Sequence, residues 1–74
     1  MDSPSQIFIA LLDEGTDVWR PVSANALGGG EFEVLGKVPA GETWQFPPGA
    51  KVRCKRKVFS DGAVGFVAYE AVAL

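Results

Sequence analysis

The chain contains no histidine and only one cysteine. Without histidine it lacks the side chain that most often shuttles protons near neutral pH and most often ligates metal ions. A single cysteine excludes an internal disulfide framework, and a small domain without crosslinks fits a reducing cytoplasm better than secretion. We therefore expect a cytoplasmic protein that is not an enzyme and that needs neither a cofactor nor a metal ion.

Long apolar runs and a basic leader are also missing. Residues 1–6 have no basic region, which argues against a signal peptide. The longest apolar stretch, residues 7–12, is far too short to span a membrane, so no membrane partner is expected. The net charge of −2 gives no long-range attraction to nucleic acid or anionic lipid, so any such attraction must be local.

No window shows a helical period, a capping signature or a sustained run of strong helix formers. Extended patterns instead cover residues 6–12, 18–27, 31–35, 51–58 and about 63–72. The first of these segments is apolar on both faces, which predicts a strand buried from both sides. Pro21 predicts an edge position or a bulge, and Gly65 predicts a bulge or bend.

Mostly short turns connect these segments, so we expect antiparallel pairing. A sheet of this size hides its edges by closing around one core. The prediction is an all-β fold: a flexible N-terminus over residues 1–5 and a single domain over residues 6–74. That domain is predicted to be a small five-stranded antiparallel barrel, with an SH3-like barrel as the first choice.

The most informative segment is residues 51–58, which holds five of the seven positive charges. Period-two alternation places four cations on one strand face: Lys51, Arg53, Lys55 and Lys57. Cys54 falls on the other face, where it should be inert, and Arg56 is the one misfit. The cations could follow a phosphate backbone beside aromatic platforms. Alternatively, they protect the sheet face and pair across to Glu31 and Glu33.

A second feature is the sequence Trp19-Arg20-Pro21. If Trp19 faces outward beside Arg20, the pair matches the residue types enriched at protein interfaces. Alternatively, a bulge at Pro21 turns Trp19 into a cluster with Trp44 and Phe46 beneath the loop over residues 37–49. The sequence leaves both arrangements open.

Two further segments have simple structural explanations. Residues 13–17 hold three carboxylates but lack the longer series of oxygen ligands of a calcium loop, so an acidic turn is the better interpretation. Residues 28–30 are three glycines with no following lysine, no following serine or threonine, and no helix. They predict a hairpin tip and not a phosphate-binding loop.

The segments LLDEGTDVWRPV (residues 11–22), WQFPPG (residues 44–49) and VRC (residues 52–54) resemble a group of small bacterial proteins of uncharacterised function. The resemblance implies a free-standing small bacterial β-protein and supplies no activity, cofactor or catalytic residue. A Pro-Gly pair leading into a valine-rich strand is, in addition, similar to many SH3-like barrels.

These observations favour a non-catalytic binding protein whose partner is another protein or a second copy of itself. The candidate partner-binding residues are Trp19, Arg20, Trp44 and Phe46. The alternative is a nucleic-acid-binding barrel that uses Lys51, Arg53, Lys55 and Lys57.

Overall fold

The computed structural model describes residues 5–12, 14 and 18–72. The described chain forms five strands: β1 (Ser5–Ala10), β2 (Trp19–Gly28), β3 (Glu31–Val34), β4 (Lys51–Val58) and β5 (Val64–Ala71). Each overlaps one of the predicted segments, so the all-β prediction is confirmed. No helix in the described ranges has the length and apolar character needed to cross a membrane.

The strands form one sheet in which each strand pairs antiparallel with the next along the chain. The predicted antiparallel pairing is therefore confirmed for consecutive strands. β5 returns beside β1, and the strand order closes on itself. Direction alternates along such a chain, so the first and the last of five strands run the same way. The closing pair is accordingly parallel, with Phe8 opposite Val67.

Alternating side chains fill the inside of the closed sheet. In β1, Ile7 and Ile9 are fully buried, whereas Phe8 between them lies on the outer face and is only partly covered. The sequence predicted that both faces of β1 are buried. The inner face is fully buried, whereas the outer face is only partly covered. The buried core cluster comprises Ile7, Ile9, Val22, Ala24, Val34, Trp44, Val52 and Ala68.

The predicted bulge at Gly65 is wrong. Gly65 lies in regular register opposite Lys57, and the register shift falls further along β5, around Tyr69. The reason for glycine is a close approach of aromatic rings. A Cβ at Gly65 would lie 2.5 Å from Cε1 of Phe8 and 3.1 Å from Cε2 of Phe59. The sequence predicted an edge position or a bulge at Pro21, and the edge position is observed. Pro21 pairs with β1 on one side but precedes the β2–β3 pairing, so its other side has no strand partner.

The connection between β3 and β4 contains three prolines, has no regular strand and returns to the end of β1. The backbone N–H of Leu12 donates to the carbonyl of Thr43 at 2.7 Å, and that of Gln45 donates to the carbonyl of Ala10 at 2.9 Å. An isolated bridge joins Leu11 to Trp44. These bonds position the Trp44 side chain in the core.

Replacing Gly65 with alanine should destabilise the fold by about 1–3 kcal/mol, because the added methyl group displaces the Phe8 ring. Urea unfolding monitored by circular dichroism measures this cost. In a Phe8→Ala background most of the cost should disappear, since the main clash has been removed. An equal cost in both backgrounds would show that the Phe8 contact is not what requires glycine.

Candidate functional site

The outer face of the sheet carries three neighbouring aromatic side chains: Phe8, Trp19 and Phe59. The ring centroids of Phe8 and Phe59 are 4.9 Å apart. Trp19 meets Phe59 edge-on, with centroids 6.5 Å apart and ring planes at 69°. All three side chains are partly exposed, and none belongs to the buried core cluster. We call this set the outer aromatic cluster.

The tight turn between β4 and β5 fixes the position of Phe59. The backbone N–H of Phe59 donates to the carbonyl of Ala63 at 2.8 Å, and that of Gly62 donates to the carbonyl of Phe59 at 2.9 Å. The Oδ1 atom of Asp61 accepts from the backbone N–H of Ala63 at 3.0 Å. Gly62 adopts φ +90°, a conformation that glycine takes at little cost. The turn therefore holds Phe59 against Phe8 and Trp19.

An open groove of about 350 Å³ lies between the outer aromatic cluster and this turn. A second groove of about 210 Å³ shares Trp19, Phe59 and Ser60 with the first and extends to Lys57 and Val58. We call the two together the Trp19 groove. The volume of the first groove lies at the low end of the ~300–1,000 Å³ typical of ligand sites, and half of its lining residues are aromatic.

The cations of β4 have different surroundings. Nη1 of Arg53 lies 2.7 Å from Oε1 of Glu70, and its Nε lies 3.6 Å from Oε2 of Glu31. The hydrogen bond to Glu70, with the charges of both carboxylates, raises the pKa of Arg53. The pairing of Arg53 with Glu31 that the sequence left open is thus observed. Lys51 lies opposite Glu33 in the register between β3 and β4.

Two lysines of the same strand lie over aromatic rings. Nζ of Lys57 is 5.9 Å from the ring centroid of Trp19. Nζ of Lys55 is 5.3 Å from that of Tyr69. Within the described residues, neither lysine nor the adjacent Arg56 takes part in a salt bridge. Unpaired positive charge is therefore concentrated at the end of β4 that borders the Trp19 groove.

Cys54 lies on the opposite face of β4 from these lysines and packs against the core. Burial raises the pKa of its thiol to about 11. The thiol is therefore protonated at neutral pH and a poor nucleophile, in line with the inert role expected from its place in the strand pattern.

Arg20, Glu42 and Trp44 form a second polar arrangement, away from the outer aromatic cluster. Nε of Arg20 donates to Oε1 of Glu42 at 3.1 Å, and its Nη2 donates to Oε2 of the same carboxylate. Nε1 of the buried Trp44 donates to Oε1 at 3.0 Å. The hydrogen bond from Arg20, followed by that from Trp44, holds the pKa of Glu42 below its ordinary value. We call this arrangement the Glu42 clamp.

The structure separates the four candidate partner-binding residues. Trp19 lies on the outer face, Arg20 and Trp44 belong to the Glu42 clamp, and Phe46 packs partly buried against the core. The register of β1 and β2 runs through Pro21 without a shift, so there is no bulge that would turn Trp19 toward Trp44. Of the two arrangements considered for Trp19, the outward-facing one is observed.

Sequence reasoning missed Phe8 and Phe59 as members of the site. A signal was present for both residues. Phe8 alternates with two isoleucines, which places it on the outer face, and Phe59 immediately precedes a Ser-Asp-Gly turn. No pattern along the chain, however, relates either residue to Trp19.

Among the described residues there is no group of three or more potential metal-ligating side chains. Of the acidic turn over residues 13–17, all but Glu14 lie outside the described residues, as do residues 1–4 of the predicted flexible N-terminus. Comparisons with protein-family models, curated proteins and solved structures find no match to this chain. The site must therefore be interpreted from its own geometry.

The Glu42 clamp predicts an acid-sensitive fold. The folded-state pKa of Glu42 is below its ordinary value of 4.5. Its stabilising contribution is therefore present above that value and is lost as the pH falls through the folded-state pKa. Urea unfolding at neutral pH and at about pH 3 should show that Glu42→Gln is less stable than the wild type at neutral pH, with a smaller loss in acid.

The matched control for this experiment is Glu33→Gln on the outer face. Oε1 of Glu33 accepts only a long bond of 3.4 Å from Nδ2 of Asn25. This variant should retain the acid sensitivity of the wild type. An unchanged pH dependence in Glu42→Gln would contradict the role assigned to the clamp.

Proposed function

We propose that this protein is a non-catalytic protein-interaction module and that the Trp19 groove is its contact surface. The supporting observation is an open groove walled by three partly exposed aromatic side chains on the outside of a closed sheet. Tryptophan and other aromatic residues are enriched at the centres of protein interfaces, where they bury large areas with few rotatable bonds. The partner is another protein or a second copy of this chain.

The separation of the outer aromatic cluster from the core supports this proposal. Trp44 contributes to the buried core and its indole N–H is satisfied by Glu42, whereas Trp19 is absent from the core cluster. A core that is complete without Trp19 leaves that side chain available for contact. The proposed surface accordingly centres on Trp19 and includes neither Trp44 nor Phe46, which the sequence had suggested.

The type of barrel is also a proposal. We propose an SH3-like barrel, supported by five strands in a single closed sheet. The cytoplasmic location stays a prediction that rests on the lone cysteine and the small uncrosslinked domain.

Nucleic-acid binding is the second candidate, and one observation favours it. Lys55 and Lys57 lie beside the rings of Tyr69 and Trp19, which combines positive charge with aromatic surface. Single-strand-binding surfaces combine these two features. The protein-interaction proposal has stronger support, because Arg53 in the middle of the basic strand is paired with carboxylates on both sides.

Trp19→Ala should retain the fold but lose binding. The test selects peptides from a displayed random library on the wild-type protein and measures their affinity for the variant by calorimetry. Loss of a central aromatic contact should weaken binding at least about tenfold, equivalent to ~1.4 kcal/mol. Sedimentation velocity over a range of concentrations gives the same comparison for self-association. Circular dichroism checks that the variant is folded.

Tyr69→Ala is the matched control, because it removes an exposed aromatic ring of β5 that does not line the Trp19 groove. It should leave peptide affinity and self-association unchanged. The proposal fails if Trp19→Ala binds like the wild type, if it unfolds, or if the wild type neither selects peptides nor self-associates. Salt-sensitive NMR shifts of the basic strand on addition of single-stranded oligonucleotide would favour the second candidate.

A further inference from the structure

The charges around the Trp19 groove are unequal and suggest what kind of segment it receives. Lys57 lines the groove directly and holds its ammonium group over the Trp19 ring. Lys55 lies two residues earlier on the same strand face and is exposed, whereas Arg56 between them points to the other face. Across the groove, Asp61 supplies a carboxylate, but one of its oxygens already accepts a backbone hydrogen bond from the turn. The groove therefore has an aromatic wall, with excess positive charge along one rim.

Two arginines elsewhere in the described chain differ from the cations of this rim, because their charges are paired. Arg20 is paired with Glu42, and Arg53 is paired with Glu31 and Glu70. Their charges are already balanced by carboxylates of the same chain. The rim cations Lys55 and Lys57 form no salt bridge within the described ranges, so a carboxylate from outside could approach them without displacing one of those carboxylates.

We propose that the Trp19 groove binds an acidic segment of a partner protein that carries one large apolar side chain. The apolar side chain enters between Phe8, Trp19 and Phe59, and the neighbouring carboxylates of the segment lie against Lys57 and Lys55. This inference rests on the protein-interaction function proposed above and specifies the chemistry of the partner. The buried anchor supplies most of the affinity, and the rim charges set orientation and association rate.

The arrangement of charges fits an acidic peptide better than a nucleic acid. A phosphate backbone that continued along β4 beyond Lys55 would meet the carboxylates of Glu31 and Glu70, which repel it. Stacking of a base also requires an open ring face. One face of Trp19 is occupied by the Lys57 ammonium group, and its contact with Phe59 is edge-on. A short acidic segment needs only the groove and the cations beside it.

The test uses three synthetic peptides of equal length and the full chain labelled with nitrogen-15. The first has a central phenylalanine flanked by aspartates and glutamates. The second has the same phenylalanine flanked by lysines, and the third is the acidic peptide with serine in place of phenylalanine. NMR titration at low and at high salt reports affinity and location, because the indole N–H signals of Trp19 and Trp44 are separate probes.

We expect the first peptide to bind about tenfold or more tightly than either of the others, with its affinity falling as salt is added. The Trp19 indole signal should move, whereas the signal of the buried Trp44 should not. Lys57→Glu should weaken binding about fivefold or more, and Lys55→Glu, two residues earlier on the same strand face, provides a second variant. Lys51→Glu, at the opposite end of the same strand face, is the matched control and should bind like the wild type.

The outcomes separate this inference from the proposed function. Equal binding of the acidic and basic peptides, with the Trp19 signal moving in both titrations, would overturn the acidic partner and leave the interaction surface in place. Shifts that avoid Trp19 would overturn both. A single-stranded oligonucleotide that binds more tightly than the acidic peptide, with loss of binding in Lys57→Glu, would overturn the acidic peptide in favour of nucleic acid.

Discussion

The contact between Phe8 and Gly65 is the constraint on which the rest of this structure depends. Five antiparallel strands close into a ring only through a parallel pair, and here the register of that pair is defined by Phe8 opposite Val67. The absence of a side chain at Gly65 lets the Phe8 ring lie close over β5. The ring thus covers the join between the first and last strands from outside, while the isoleucines on either side of it fill the interior.

The same contact also builds the candidate site. Phe8 packs against Phe59, and Phe59 packs against Trp19, so one wall of the Trp19 groove is made of residues that close the sheet. A binding surface supported by strands and a tight turn is held more rigidly than one on a long loop. The long connection between β3 and β4 has a different role, because the Glu42 clamp and Trp44 attach it to the core.

Alternation with a period of two was enough to predict the positions of the strands and the inner and outer faces of β4. It also anticipated the pairing of Arg53 with Glu31, because both residues alternate on outer faces of neighbouring strands. The partner Glu70 could not be found this way, since the register shift near Tyr69 decides which residue of β5 lies opposite Arg53. The local alternation thus determines which face of a strand a side chain occupies. The order and register of the strands determine which side chain of the neighbouring strand it contacts.

The outer aromatic cluster was beyond the reach of sequence reasoning for the same reason. Its members come from β1, β2 and the turn after β4, and they meet only because the sheet closes. The role of Gly65 was likewise not determined by the sequence alone. A glycine inside a strand is typical both of a bulge and of a close approach by another group, and only the position of Phe8 distinguishes the two.

The contact between Phe8 and Gly65 is tested most directly by a nuclear Overhauser spectrum of the labelled wild-type protein. We predict cross-peaks from the ring protons of Phe8 to the α-protons of Gly65 and to the Phe59 ring, and from the Trp19 indole to Phe59. Absence of the peaks between Phe8 and Gly65, together with contacts from Trp19 to Trp44 or Phe46, would contradict this prediction. The sheet would then close differently, and Trp19 would lie beneath the long connection instead of beside the groove.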